Sequence, residues 1–295
     1  MTRLRRRFGG LLLLFVAAVV SDSGAMAAER LSVSWHPGKP RVGDAALIRV
    51  RGVPDGATVE GTVDGQPLVF FPYGPGQAAL VGFDLDVKPG TKPWQLAVLV
   101  SGHDPVTARG TMQLMARSFP VQRLTLPTAM VDLDPETERR AVAEGERLQS
   151  LYRTITPQRL WRGAFTRPVG GTEPGTGFGS RRVINGKPRM PHGGTDYAAA
   201  TGTPVVAVNS GRVALVADFF FPGRLVALDH GLGLYTLYFH LDSTTVTQGD
   251  TVERGQTIGT VGATGRATGP HLHFGAHVAG ARIDPATLLT LRVRD

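Results

Sequence analysis

Three short stretches decide the reading of this chain: Pro191-His192-Gly193-Gly194-Thr195-Asp196, Tyr238-Phe239-His240-Leu241 and Gly269-Pro270-His271-Leu272-His273-Phe274. His192 and Asp196 are four apart, which would put both on one face of a helix, but the Gly193-Gly194 pair argues against a helix. In an extended strand, residues of equal parity share a face, so His192, Gly194 and Asp196 point the same way. The same rule places His271 and His273 together. The two glycines then let the backbone pass close to whatever those side chains hold.

Imidazole nitrogen and carboxylate oxygen are good zinc donors at about 2.0–2.2 Å. Three such ligands leave a fourth position for water, and a bound ion makes that water acidic enough to attack a carbonyl near neutral pH. A further group must then take the proton and hold the developing oxyanion. A histidine suits either task. On residues alone the candidates are His240 and whichever of His271 and His273 does not ligate. Each piece is weak by itself; their conjunction in one Gly-rich stretch is not.

The surroundings of these residues read as antiparallel β with almost no helix. Pro204–Val208 and Arg212–Val216 flank Asn209-Ser210-Gly211, and Leu225–Asp229 and Leu234–Leu241 flank His230-Gly231-Leu232-Gly233, so two hairpins are expected. Gly249–Gly259 is expected to hold tight β-turns. His230 is expected to be structural, His277 shares parity with His273, and His36 and His103 fall outside this region. Arg181 and Arg182 are candidates for holding a substrate carboxylate, against exposed charge as the plainer alternative.

Upstream, residues 31–118 alternate in short runs: Leu31–Trp35, Ala46–Arg51, Ala57–Val63, Pro67–Phe71, Ala79–Val87, Trp94–Val100 and Thr107–Met115. The breaks carry Gly, Pro and Asp, as in Pro54-Asp55-Gly56 and Tyr73-Gly74-Pro75-Gly76. Such spacing predicts a β-sandwich of immunoglobulin-like kind over 28–118, with a role in interaction or spacing. Residues 119–163 are expected to connect it to 164–295. In that connector Asp134-Pro135-Glu136 starts a helix with Asp134 as N-cap. Ala141, Leu148, Tyr152 and Ile155 follow at helical spacing, so the helix should dock on its apolar face and end by Pro157.

Composition agrees with a folded, mainly β chain: 42% hydrophobic, 19% charged, with 38 Gly and 21 Pro favouring turns over a helix bundle. Arg3, Arg5, Arg6 and Arg7, the apolar run Leu11–Val20 and Ala25-Met26-Ala27 read as a signal peptide over 1–27. That run is too short to span the roughly 30 Å of a membrane's hydrocarbon. With no Cys in the chain, neither disulfides nor thiolate ligands are available. The first 27 residues hold four Arg and one Asp, so about +5 of the net +8 belongs to the remainder. That charge has no basic stripe, so nucleic acid is not an expected partner; an anionic wall or membrane surface fits better.

At these residues the chain resembles the LytM/lysostaphin-type zinc metallopeptidases, which cut peptide bonds in bacterial peptidoglycan. The resemblance covers about residues 164–289. It includes Phe178-Gly179, His192 to Asp196, Gly202-Thr203-Pro204-Val205, Asp229-His230-Gly231, Tyr238-x-His240-Leu241, Gly249-Asp250 with Gly255-Gln256, and Thr264-Gly265 through His273. It implies that His192, Asp196 and His273 bind one zinc ion, and that His240 and His271 are the catalytic pair around water and oxyanion. Gly275 departs from the pattern, since many relatives carry an acidic residue there. The resemblance implies an endopeptidase acting on stem peptides or cross-links, specifically a D,D-endopeptidase; the signal peptide implies export, and the absence of Cys and of a wall-binding repeat fits the periplasm. The alternative is a non-catalytic or autoinhibited activator or scaffold for a cell-wall amidase, with a regulatory protein partner. The Gly249-Asp250-x-Val252-x-x-Gly255-Gln256 segment also resembles biotinyl or lipoyl carrier hairpins, but the span from Ala207 to Phe274 has no Lys to modify.

Overall fold

The computed structural model describes residues 31–128, 131–175 and 177–291; the expected signal peptide lies outside them. The first part carries strands β1 (Ser32–His36), β2 (Ala45–Arg51), β3 (Thr58–Val63), β4 (Gln66–Pro67), β5 (Phe70–Pro72), β6 (Gly76–Gly82), β7 (Gly90–Leu99) and β8 (Val106–Leu114). They form two four-stranded antiparallel sheets, ordered β1-β2-β6-β5 and β4-β3-β7-β8. The expected Pro67–Phe71 strand is in fact two. β4 pairs with β3 and β5 with β6, so the chain changes sheet between them.

The alternation along β2 and β6 has a second use. Ile48, Val50, Ala79 and Val81 face the core between the two sheets, with Trp94, Leu96 and Val98. Their neighbours Leu47, Ala78 and Leu80 face the other way and share a core with Val226, Leu234, Phe274 and Val278 of the later part. A sheet buried on both faces needs apolar residues at successive positions, which is why β2 opens with Ala45-Ala46-Leu47-Ile48. Ion pairs reinforce the contact: Arg282 Nη2 lies 2.7 Å from Asp84 Oδ1, and Arg117 Nη2 lies 2.6 Å from Asp284 Oδ2.

The connecting stretch is more structured than a spacer. It holds a strand, β9 (Val121–Leu124), and a helix, α1 (Pro135–Arg153). Asp134 caps α1, its Oδ1 accepting from Glu136 N at 3.0 Å and Thr137 N at 3.1 Å. Leu148 and Tyr152 pack on Leu215, Phe219, Leu225 and Tyr235 of the later part. The helix ends before Pro157, as expected, but Thr154 is already extended, and Ile155, expected on the apolar face, is past the end and exposed. Trp161, placed by the sequence reading before the boundary at 163/164, is fully buried in the same core as Phe165.

The later part carries β10 (Arg181–Ile184), β11 (Lys187–Pro188), β12 (Gly194–Ala198), β13 (Pro204–Val206), β14 (Gly211–Phe219), β15 (Gly223–Asp229), β16 (Leu234–Thr244), β17 (Thr251–Val252), β18 (Thr257–Val261), β19 (His271–Val278), β20 (Ala281–Ile283) and the short helix α2 (Pro285–Thr290). Its main sheet runs β12-β19-β16-β15-β14-β17, antiparallel throughout, with β18 on β16 and β13 on β18. The β15–β16 hairpin through His230–Gly233 forms as expected. The one expected at Asn209-Ser210-Gly211 does not: β13 pairs with β18, while β14 pairs with β15 and β17. Asn209 is occupied elsewhere, its Oδ1 accepting from Arg162 N at 3.1 Å and its Nδ2 donating to Arg162 O at 3.0 Å. β9 lies parallel to β10, with Gln122 opposite Arg182 and Leu124 opposite Ile184.

Candidate active site

The sheet register assembles the site. Asp196 on β12 sits directly opposite His273 on β19, and Ala198 opposite His271. On the other side of β19, Phe239 of β16 sits opposite His273 and stacks on its ring, with centroids 5.4 Å apart. His192 precedes β12. Its N–H donates to Ser180 O at 2.9 Å and its carbonyl accepts from Gly179 N at 2.8 Å, so the Phe178–Ser180 turn holds it. Gly194 serves the packing of two strands here. A Cβ there would stand 2.4 Å from Phe274 O and 2.7 Å from His273 Nε2. Gly275 lies opposite Gly194, and a Cβ there would face Leu237 at 3.3 Å.

Three donor atoms converge. His192 Nε2 is 2.8 Å from His273 Nδ1 and 3.1 Å from Asp196 Oδ1, and His273 Nδ1 is 2.9 Å from the same oxygen. These three residues form the one cluster of metal-binding side chains found among the described residues. Donors around a tetrahedral zinc at about 2.0–2.1 Å stand roughly 3.3 Å apart, within about half an ångström of this spacing. The site opens on one side only: the His192 side chain is 2% exposed, that of Asp196 36%. His192 Nδ1 is buried without a hydrogen-bond partner, against Gly177, where a Cβ would come within 2.6 Å. The ring can therefore turn only Nε2 to a ligand. Two imidazoles and a carboxylate sharing one point fit a divalent cation.

The electrostatics point the same way. Burial would raise the Asp196 carboxyl, but hydrogen bonds from His192 and His273 outweigh it and hold the group far below the usual carboxylate range. Burial pulls His273 down to about 4 despite the Asp196 hydrogen bond. Both effects favour a carboxylate beside a neutral His273 ring, the protonation a metal requires.

His240 and His271 flank this cluster, their ring centroids 4.8 Å apart. His271 Nδ1 lies 2.8 Å from Gly269 O, and His240 Nδ1 lies 2.8 Å from Thr264 O. Each Nδ1–H donates to a carbonyl, so each neutral ring presents a bare Nε2; that of His271 is 3.9 Å from Asp196 Oδ1. His240 reaches this position through a bulge. Arg224 pairs with Leu241 but Val226 with Tyr238, and His240 has φ +62°, in the left-handed region. Bulges re-aim side chains in this way beside active sites. The carbonyl of Thr264 is fixed by a close approach of two loops. A Cβ on Gly265 would stand 2.3 Å from Gly223 N, and Thr264 Oγ1 accepts from Arg224 N at 2.9 Å.

The five residues singled out in the sequence are thus together, and the remaining histidines are not with them. His230 is fully buried between Ser210 O and Thr236 Oγ1, each at 2.7 Å. His277, despite its parity, stacks on Tyr152 of α1 with centroids 3.9 Å apart. The docked helix covers it and leaves it buried. Sequence reasoning missed several neighbours. A cleft of about 310 Å³ in front of the cluster is lined by Asp196, His240, His271 and His273, by Arg182 and Arg266, and by Gln122, Leu124 and Leu126 from the connector. Arg266 had a signal, standing one residue beyond Thr264-Gly265. The connector wall had none, since its place depends on a parallel pairing 60 residues away in sequence.

Residues 190–285 match the profile described as peptidase family M23. A crystal structure of a putative peptidase M23 from Pseudomonas aeruginosa is similar over 85% of this chain and 95% of its own, at 30% identity and a TM-score of 0.67. The peptidoglycan DD-endopeptidases ShyB and ShyC of Vibrio cholerae are 42% identical over 95 residues and 39% identical over 133 residues. These matches cover 32% and 44% of this chain but only 22% and 30% of those proteins.

Proposed function

This chain belongs to peptidase family M23, and from that premise we propose that it is an exported zinc-dependent endopeptidase that hydrolyses amide bonds in peptidoglycan stem peptides or cross-links. The observation that carries the reading is the convergence of His192 Nε2, Asp196 Oδ1 and His273 Nδ1 beside two histidines with bare Nε2 atoms. In this reading His192, Asp196 and His273 are the ligands, and His240 and His271 the catalytic pair. Zinc, when bound, supplies the Lewis acidity that activates water and polarises the scissile carbonyl.

The protein's own part is to place protons. The Nδ1 anchors to Thr264 O and Gly269 O stop each ring from turning. Nε2 of one ring takes a proton from the attacking water and returns it to the leaving amine. The other ring lines the same cleft, as the candidate to face the developing oxyanion. Phe239, stacked on His273, keeps that ring in the plane its Nδ1 needs.

The DD-endopeptidase names of the relatives support a D,D cross-link as the bond cut. The basic and apolar N-terminus supports export to the periplasm, and no helix among the described residues is long and apolar enough to cross a membrane. We read the two N-terminal sheets as an immunoglobulin-like sandwich docked on a peptidase unit at 164–295. The test is to incubate the full chain with purified cross-linked peptidoglycan, with and without a zinc chelator, and to identify fragments by mass spectrometry. Conversion of cross-linked dimers to monomers, blocked by the chelator, is the expected result. Silence from the metal-loaded chain would remove the endopeptidase reading and turn attention to amidase activation.

A further inference from the structure

The cleft has an uneven charge that hydrolysis alone does not need. Among its lining residues, Arg182 and Arg266 are cationic and Asp196 is the one acid. Asp196 is already committed to His192 and His273. Arg182 Nη2 stands 4.0 Å from Asp196 Oδ2, too far for a hydrogen bond, and its Nε reaches Gln122 Oε1 at 3.4 Å. Arg266 lies with its guanidinium 4.0 Å above the Phe221 ring, and its N–H donates to Phe221 O at 3.0 Å. Arg189 is close enough to act on Arg266 electrostatically, and its Nη2 donates to Val131 O at 3.3 Å. Burial, followed by the like charges of Arg182 and Arg189, pulls Arg266 down from its ordinary value.

The parity of β10 distinguishes the two neighbouring arginines. Arg182 and Ile184 face the cleft, while Arg181 is exposed on the other face. Guanidinium forks match planar carboxylates. Leu124, Leu126 and Ile184 add an apolar strip along the same wall.

We propose that Arg182 and Arg266 form a subsite for a free carboxylate of the peptide to be cut, beside the apolar wall given by β9 and β10. This rests on the endopeptidase reading for its substrate class, but it is a statement about binding and can be tested apart from turnover. Arg182 comes from β10 and Arg266 from the loop before β19, and both line the cleft with His271 and His273, so a carboxylate that meets them lies next to the cluster that acts on the amide. An amide or ester in its place cannot carry the charge both arginines face.

The experiment titrates the full chain, metal-free and zinc-loaded, with two probes by calorimetry: a cross-linked stem-peptide dimer with free carboxylates, and the same dimer with those groups converted to carboxamides. Binding of the carboxylate form at least tenfold tighter, in both metal states, is expected. R266Q and R182Q should each bring the ratio close to one, while R266K and R182K, which keep charge but lose the fork, should fall between. Metal content and melting temperature of each variant exclude misfolding and lost zinc. A ratio near one in the unaltered chain overturns the subsite. So does a preference seen only with zinc and untouched by the Gln variants, which would place the carboxylate on the metal. If the chain binds with this preference yet cleaves neither probe, the endopeptidase reading fails and the subsite stands.

Discussion

The two ends of β19 carry the same residue type to opposite fates. At one end His271 and His273 turn ring nitrogens toward Asp196, at 3.9 and 2.9 Å. At the other, His277 is stacked on Tyr152, with its Nδ1 toward Gly280 O at 3.4 Å. All three share one parity, so period-2 reasoning cannot separate them. Partners can. A site histidine gives one nitrogen to a carbonyl or to close packing and leaves the other pointing at a shared point; a structural one is enclosed by the fold. Burial does not make the distinction, because His273 and His277 are both pulled down to about 4 by it.

The comparison is broken most severely at the ligand end. Replacing His192 or Asp196 by Ala is expected to abolish zinc binding and bring peptidoglycan cleavage to background, with metal content and fragment analysis as the two readouts. Neither change should unfold the metal-free chain, since neither side chain belongs to the apolar cores. The next effect in size belongs to His240 and His271. Their replacement by Ala should leave zinc stoichiometric and lower the rate about 10²–10⁴-fold, the range for a lost acid–base group. Full activity after either change would overturn the division between ligands and proton carriers.

How far these roles were legible depended on distance along the chain. Asp196, His271 and His273 were readable because strand parity is local and survives folding. The β15–β16 hairpin was readable for the same reason. His240 was readable as a candidate, but not its left-handed conformation, which comes from a bulge formed against β15. The expected turn at Asn209 failed because its side chain bonds to Arg162, 47 residues away. The connector strand was invisible: Val121-Gln122-Arg123-Leu124 has little apolar alternation, and its parallel partner, not its own pattern, holds it. The unbroken apolar runs Ala45–Ile48 of β2 and Ala78–Val81 of β6 were the trace of the contact between the two parts. Two buried faces explain them, where a sandwich alone needs one.

At the structural end, His277→Ala should keep zinc and most of the rate but cost about 2–4 kcal/mol in stability, as a truncated, packed ring does. Denaturant unfolding of the metal-free chain measures this. His277→Phe, which preserves the stack on Tyr152, should recover most of it. If His277→Ala instead lost zinc with stability unchanged, the separation of the two ends of β19 would be wrong.

The smallest effect tests burial itself. Burial lowers His277 to about 4, with Asp84 opposing and Arg282 assisting, and lowers His230 to about 4 against the Ser210 hydrogen bond. Unfolding returns both toward 6.5. Between these values the unfolded chain binds more protons than the folded one, so stability is present in full above about pH 6.5 and is lost as pH falls toward 4. Each histidine contributes a slope of about 1.4 kcal/mol per pH unit in that window. His277→Phe removes one such contribution and should flatten the stability profile by that amount there, leaving the profile above pH 7 unchanged. An unaltered slope would mean that His277 already takes up its proton in the folded chain. Its enclosure by Tyr152 would then not be what distinguishes it from His273.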